Sequence, residues 1–229
     1  TVVDVEAPTF TAPLDVTIEC DQDPTDLTLT GDVIDEADNC DVTLDATYSD
    51  ATDATDPCKV IITRTWTLVD DCDNTTELVQ TITIVDTTAP TFTVPDALTI
   101  NCEDDITDLT LTGDVTDEAD NCSVGLEATY SDATDATDPC AIIVTRTWTL
   151  VDDCDNTTEL VQIITVVDAE APTFTVPLDV TIECDQDPTD LTLTGDVIDE
   201  ADNCDVTLDA TYSDATDATD PCKVIITRT

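Results

Sequence analysis

The stretch Lys59-Val-Ile-Ile-Thr-Arg-Thr-Trp-Thr-Leu-Val69 alternates its side chains so that Ile62, Trp66 and Leu68 share one face. A period of two residues is typical of a β-strand with one buried face. Arg64 falls on that same face. We therefore expect its charge to be paired with a carboxylate while its stem packs against the Trp66 ring.

Similar alternation recurs on both sides of this stretch, in runs separated by acidic loops marked by Pro or Gly. No part of the chain shows a helical period. Short strands of this kind predict an all-β fold of immunoglobulin-like antiparallel β-sandwich domains. The other predicted strands are 14–20, 27–31, 42–49 and 77–86.

Four cysteines recur with a period of 82 residues, at spacings of 20, 18, 14 and 30. A period of this length with its own cysteine set indicates a small domain repeated in tandem. The pattern begins and stops in mid-repeat, so we expect an excerpt from a longer array. The predicted domains are the end of a preceding repeat (1–4), repeat 1 (5–86), repeat 2 (87–168) and an incomplete repeat 3 (169–229).

Two disulfides per domain are expected, because a domain of roughly 80 residues has only a marginal core. Disulfides imply an oxidising, extracellular setting. Counting strands up and down places Cys20 and Cys58 at one end of a repeat, and Cys40 and Cys72 at the other. Of the three connectivities that four cysteines allow, this count favours one bridge at each end. The expected pairs are Cys20–Cys58, Cys40–Cys72, Cys102–Cys140, Cys122–Cys154 and Cys184–Cys222.

The chain carries 54 acidic and 5 basic residues, a net charge of −49. Such a charge repels nucleic acid and anionic membranes, so neither is an expected partner. No apolar run reaches the roughly 20 residues of a membrane helix, so we expect no membrane insertion in this segment. Histidine is absent, and no nucleophile–base set accompanies the carboxylates, so we expect neither a transition-metal site nor an enzyme.

Acidic loops gather at the ends of the repeats, beside the short linkers 4–8, 86–90 and 168–172. Ca²⁺ binds about six to eight oxygens from loop carboxylates and carbonyls. For any single carboxylate the alternative is a solvated acidic surface, but calcium at each junction is the hypothesis that we favour. The candidate ligands are Asp4, Glu6, Asp35, Glu36, Asp38, Asp71, Asp73, Asp86, Asp117, Glu118, Asp120, Asp153, Asp155, Asp168, Glu170, Asp199, Glu200 and Asp202.

The run DTTAPTFTVP at 86–95, followed by TGDVTDEADNC at 112–122 and TRTWTLVDDCDNTT at 145–158, resembles hyalin-type (HYR-like) immunoglobulin-fold repeats. It is also similar to repeats in very long surface proteins of the Bacteroidetes. The resemblance covers the whole chain, and the D-x-x-A-P junction is among its most specific parts. It implies a cell-surface adhesin or filament.

Two classes of function are open. The first is a structural segment of a long extracellular surface fibre or adhesin stalk, stiffened by disulfides and calcium. Its partners would be neighbouring repeats, with chains working singly or associating laterally into fibres. The second is a module that binds a glycan or a partner through the sandwich loops. Residues 1–65 and 165–229 differ at only two positions. Near-identity favours the first class, because a spacer needs repetition and not diversity.

Overall fold

A computed structural model describes residues 3–138, 140–205, 207–220 and 222–229 of the chain. In these residues the fold is built of β-strands, with three helical segments of one turn each. The predicted all-β fold class is confirmed.

The first repeat contains two sheets. Its elements, in chain order, are β1 (Thr9–Thr11), β2 (Val16–Glu19), α1 (Leu27–Thr30), β3 (Ile34–Ala37), β4 (Thr47–Asp53), β5 (Lys59–Val69) and β6 (Thr75–Val85). The larger sheet has the order β2-β6-β5-β4, and β1 pairs with β3 in the smaller one. Strand β2 runs parallel to β6, whereas the β4–β5, β5–β6 and β1–β3 pairs are antiparallel.

The second repeat has the same elements, β7 (Thr91–Thr93), β8 (Leu98–Asn101), α2 (Leu109–Thr112), β9 (Thr116–Ala119), β10 (Thr129–Asp135), β11 (Ala141–Val151) and β12 (Thr157–Val167). Its larger sheet repeats the order, as β8-β12-β11-β10. The third repeat has β13 (Thr173–Thr175), α3 (Leu191–Thr194), β14 (Ile198–Ala201), β15 (Asp214–Asp220) and β16 (Lys223–Arg228). Residues 180–183, which correspond to β2, form no strand there, and the positions one period after β12 lie past residue 229.

Alternation along β5 decides which side chains form the core. Ile62, Trp66 and Leu68 are buried, and Ile62 packs with Ile18 of β2 and Ile82 of β6. An equivalent cluster joins Ile100, Val144 and Ile164 in the second repeat. Burial of such side chains is the main favourable contribution to folding.

Arg64 lies on the buried face of β5 and is fully shielded from solvent, as the alternation predicted. Its Nε donates to Oδ1 of Asp50 at 2.8 Å, and its guanidinium carbon lies 4.0 Å from the centre of the Tyr48 ring and 5.8 Å from that of Trp66. The predicted ion pair is confirmed. The closer aromatic partner is Tyr48, which is opposite Trp66 in the β4–β5 register.

Two of the strand predictions are wrong. Residues 27–30 form the helical turn α1, because Asp26 accepts a hydrogen bond from the Thr28 N–H and so caps its start. Gly31 ends the turn with a φ of 90°, a conformation that favours glycine. The strand expected at 42–49 lies at Thr47–Asp53, while the N–H of Ala46 is bonded to the Glu36 carboxylate at 2.7 Å.

The residue contacts divide the chain into two compact units. One comprises Thr1–Pro95, Asp114–Ser131 and Arg146–Gln162, and the other comprises Asp96–Gly113, Asp132–Thr145 and Ile163–Thr229. Neither unit coincides with a sequence repeat, because each contains parts of two successive repeats. The repeat boundaries after residues 4, 86 and 168 remain a prediction.

Candidate metal site and disulfides at the repeat junctions

We define a junction as the end of one repeat together with the loops of the next repeat that surround the linker. The first junction contains Cys20, Cys58 and Asp86 from repeat 1, and Asp120, Cys122, Asp152 and Cys154 from repeat 2. The second contains Cys102 and Asp168 from repeat 2, and Asp202 and Cys204 from repeat 3. Each junction lies within a single compact unit.

Disulfides connect successive repeats at both junctions. Cys20 is bonded to Cys122, with the Cα atoms 5.9 Å apart, and Cys58 is bonded to Cys154, with the Cα atoms 5.4 Å apart. At the second junction Cys102 is bonded to Cys204, again with a Cα separation of 5.9 Å. The pairing that we expected within each repeat is therefore wrong: Cys20–Cys58, Cys102–Cys140, Cys122–Cys154, Cys40–Cys72 and Cys184–Cys222 are not the pairs of the structure.

Strand order explains why Cys20 does not reach Cys58. Cys20 follows β2 and Cys58 precedes β5, so both lie at the same end of the sheet, as predicted. Strand β6 lies between β2 and β5. Neighbouring strands are about 4.8 Å apart, so two strand spacings exceed the roughly 7 Å that a disulfide can bridge between Cα atoms.

Among the described residues, five cysteines have no disulfide, and all five are exposed. They are Cys40, Cys72, Cys140, Cys184 and Cys222. A partner for Cys140 at the separation of 96 residues seen for Cys58 and Cys154 would occupy position 236, past the last residue.

Three carboxylates converge at the first junction. Asp86 follows β6, Asp120 follows β9, and Asp152 follows β11. One oxygen from each lies within 4.8 Å of the other two. Asp86 and Asp152 are only 9% and 6% exposed, and Asp120 is half-buried. Three negative charges are therefore held close together with little water to screen them.

Hydrogen bonds within this cluster leave two oxygens without a partner. Asp152 is fully engaged, because it accepts from the N–H groups of Cys154 and Asn156 and from the side chain of Asn156. Asp120 accepts two backbone N–H groups on Oδ2 only, at 2.8 and 2.9 Å. Its Oδ1 and the Oδ2 of Asp86 are buried and unpaired. Buried carboxylate oxygens of this kind fit a hard cation, because they otherwise lose hydration without compensation.

The pKa values of two carboxyl groups in the cluster move in opposite directions. Burial raises the pKa of Asp86, and the charges of Asp120, Asp152 and Glu19 add to that rise. Burial also acts to raise the pKa of Asp152, but the hydrogen bonds from Asn156 outweigh it and the pKa is lowered. Asp152 is thus held in its charged form, whereas Asp86 is charged at a free-energy cost.

Equivalent carboxylates meet at the other copies of the linker. Asp4 and Asp38 lie together beside Cys40, and Oδ2 of Asp38 is buried without a partner. At the second junction Asp168 lies with the bonded Cys102 and Cys204. The backbone N–H groups of Asp205 and Cys204 lower the pKa of Asp202, and a hydrogen bond with the Asp168 side chain adds to this effect. Six predicted ligands are therefore brought together in pairs, namely Asp4 with Asp38, Asp86 with Asp120, and Asp168 with Asp202.

The remaining predicted ligands are occupied elsewhere or lie outside these clusters. Three glutamates accept a backbone N–H within their own repeat, namely Glu36 from Ala46, Glu118 from Ala128 and Glu200 from Ala210. Glu6 accepts from the Asn39 side chain at 2.9 Å. The others do not belong to a carboxylate cluster in the described part of the chain, and their role as ligands stays a prediction: Asp35, Asp71, Asp73, Asp117, Asp153, Asp155, Glu170 and Asp199.

The candidate ligands include only the second and third acids of each segment D-D-C-D-N, although the first acid, Asp70 or Asp152, belongs to the same acidic loop. In the structure it is Asp152 that joins the carboxylate cluster. The available signal was the asparagine four residues later, since Asn74 and Asn156 each donate their side-chain N–H to that first carboxylate.

The chain is therefore an all-β array of repeats with disulfides between neighbours. Residues 90–166, which lie within the second repeat, match the family of HYR-like domains with 4 cysteines. No curated protein matches the chain in sequence. None of the helices in the described residues is long and apolar enough to cross a membrane.

Solved structures with a similar arrangement include repeats of cadherins. Drosophila N-cadherin EC1-4 is 15% identical with a TM-score of 0.32, and the match covers 72% of this chain and 50% of that one. Human CDH23 EC21-23 is 12% identical with a TM-score of 0.34, over 75% of this chain and 73% of that one. The chain thus spans half the length of the N-cadherin structure. Likeness at these scores carries no argument about function.

Proposed function

We propose that this chain is a structural segment of a long extracellular surface fibre or adhesin stalk. In this proposal, successive repeats are fastened by disulfides and by a calcium ion at each junction. The observation that carries the proposal is the pair of bridges, Cys20–Cys122 and Cys58–Cys154, which join the same two repeats. Two covalent links beside one short linker oppose bending and twisting at that joint.

Calcium is the cation that suits the junction chemistry best. The site offers carboxylate oxygens, which are hard ligands, and contains no histidine. The cysteines beside Asp86 are bonded to each other, so they do not present thiolates to a softer metal. Asp86, Asp120 and Asp152 would hold the ion, which would neutralise their mutual repulsion.

The proposal places the chain outside the cell, and its disulfides support that position. Disulfides persist in oxidising surroundings and are rare in the cytosol. Extracellular fluids are also where calcium is abundant enough to fill sites of modest affinity. A cell-surface location, an origin in giant Bacteroidetes proteins and lateral association of chains into fibres are further parts of this proposal.

Glycan binding, the second class of function, gains no support from the two tryptophans. Carbohydrate sites usually present exposed aromatic rings, but Trp66 and Trp148 are each only 1% exposed. Their indole N–H groups are directed to buried partners, Gln80 and Gln162. The structural role is therefore the one that we propose.

Small-angle scattering and calcium titration of the full chain test this proposal. We expect Ca²⁺ to bind and to reduce the range of conformations at the junctions, and a chelator to reverse both effects at low salt. The variant Asp120→Asn should weaken binding, whereas Asp45→Asn, at an exposed carboxylate that is not a candidate ligand, is the matched control. Scattering curves that are identical with calcium and with chelator would contradict the role of calcium.

A further inference from the structure

We propose that the disulfides between repeats form a covalent bypass that limits how far the chain can be stretched and protects the core of the second repeat from tension. The fibre proposal supplies the tension in this argument. The bypass itself does not depend on calcium. It follows from which cysteines are joined, and its effect can be measured on this chain.

The bypass can be traced through the bonds of the chain. It leaves repeat 1 at Cys20, crosses the first bridge to Cys122, and follows the main chain backwards to Cys102. The second bridge then leads from Cys102 to Cys204 in repeat 3. Repeat 2 is thereby crossed through residues 102–122 alone. The ordinary main-chain route between Cys20 and Cys204 instead passes through every residue between them.

The shorter of two parallel covalent routes sets the limit of extension. A fully extended chain spans about 3.5 Å per residue, so the segment from Cys102 to Cys122 allows about 70 Å between those two residues. Once that segment is taut, further tension is carried by covalent bonds. The longer route through the repeat then cannot be drawn out.

The core of the second repeat lies outside the bypass. Residues 102–122 contain α2 and β9, whereas β10, β11 and β12 all follow Cys122. These three strands carry Trp148, Leu150 and Ile164, which are 1%, 0% and 0% exposed. Tension can therefore extend the loop segment with α2 and β9, but it cannot pull β10, β11 and β12 into a single extended chain.

Maximum extension under force distinguishes this bond pattern from the alternatives. With the observed bridges, about 66 of the 229 residues lie in the shortest covalent path between the two ends. The reduced chain can extend over all 229 residues, so its maximum length should be about 3.5 times that of the oxidised chain. Bridges within each repeat would leave about 117 residues in line and give a ratio of only about 2.

The experiment is optical-tweezers stretching of the full chain, held through peptide tags at both ends so that no thiol is added. Oxidised protein is compared with protein treated with a phosphine reductant. The double variant Cys20→Ala/Cys122→Ala removes the first bridge, and the shortest path then follows the main chain to Cys102 and crosses the Cys102–Cys204 bridge. Its oxidised form should extend about twice as far as the oxidised wild type. Cys40→Ala, which removes a cysteine that has no bridge, is the control and should leave the length unchanged.

Three results would overturn the bypass. They are equal lengths for oxidised and reduced chains, a ratio near 2 for the wild type, or a double variant no longer than the wild type. Chelator should leave the limit of extension unchanged. A chain with the 3.5-fold ratio but no response to calcium would retain the bypass and remove calcium from the proposed function. A chain that responds to calcium but reaches the same length when oxidised and when reduced would retain calcium in the proposed function and refute the bypass.

Discussion

Arg64 donates two parallel hydrogen bonds to the Asp50 carboxylate, from Nε to Oδ1 at 2.8 Å and from Nη2 to Oδ2 at 2.9 Å. The same guanidinium donates to Oγ1 of Thr30 and to the carbonyl of Pro24. It therefore ties the loop containing α1 to the middle of the larger sheet. Arg228 makes the corresponding four hydrogen bonds in the third repeat.

Replacing this arginine with lysine should destabilise the fold. An ammonium group cannot reproduce the planar, bidentate pair, and Arg64→Lys would leave buried acceptors unsatisfied at a cost of about 1–3 kcal/mol. Thermal unfolding of the full chain measures the effect. Lys59→Arg, on the exposed end of the same strand, is the control. An unchanged melting temperature for Arg64→Lys would show that the ion pair adds nothing to stability.

Peptide mapping under non-reducing conditions should recover three linked pairs. These are Cys20–Cys122, Cys58–Cys154 and Cys102–Cys204. A protease that cleaves at acidic residues is suited to the task, because the chain has only 5 basic residues. Each bridge should contribute on the order of 2–4 kcal/mol. Recovery of a Cys20–Cys58 peptide would refute the strand order as well as the bridges between repeats.

Asp86→Asn should change stability in opposite directions with and without calcium. The pKa of Asp86 is raised in the folded chain, so the folded state binds its proton more tightly than the unfolded state does. Ionisation of the Asp86 carboxyl group therefore lowers the free energy of unfolding as the pH rises from about 4 through the raised pKa. In chelator at pH 7 the variant should melt higher than the wild type, and in excess calcium it should melt lower.

The control for that prediction is Asp152→Asn in the same cluster. The pKa of Asp152 is lowered, so its charged form stabilises the fold above an unfolded pKa of about 4, and this contribution is lost as the pH falls. Asp152→Asn should therefore lower the melting temperature in chelator as well as in calcium. If both variants shift in the same direction in chelator, the two carboxylates do not differ as the structure indicates.

Gln80 is a further point at which one substitution should weaken the core. Its Nε2 donates to the carbonyls of Leu14 and Thr30, and its Oε1 accepts from the indole of Trp66. Gln80→Leu would leave the Thr30 carbonyl and the Trp66 indole N–H buried without this partner, at roughly 1–3 kcal/mol each before relaxation. The denaturation midpoint of Gln80→Leu is measured on the full chain and compared with that of Val79→Ala, a substitution at a neighbouring exposed position. Equal midpoints for the two variants would contradict the prediction.

Alternation was sufficient to predict the strand class and the inward direction of Arg64. It failed at Leu27-Thr-Leu-Thr30, because two apolar residues in four are compatible with a strand and with a single helical turn. The deciding residues lie outside the run, namely the cap Asp26 and the positive-φ Gly31. The strand count also placed Cys20 and Cys58 at the correct end of the sheet.

The cysteine partners could not be obtained from that count. Every repeat has the same cysteine spacing, so the sequence does not state whether a partner lies in the same repeat or in the next. The sequence also does not show which of the two adjacent acids in the segment D-D-C-D-N is buried. Asp152 and Asp153 are adjacent and chemically alike, and only the fold buries the first at 6% exposure.

The bridges between repeats also restrict how such an array can change in evolution. Every bonded cysteine depends on a residue that another copy supplies, so a mutation in one unit leaves an unmatched thiol in its neighbour. Duplication or deletion of a whole 82-residue unit keeps all partners in register, whereas loss of part of a unit does not. Length can therefore vary in steps of one 82-residue period without leaving an unmatched cysteine inside the array.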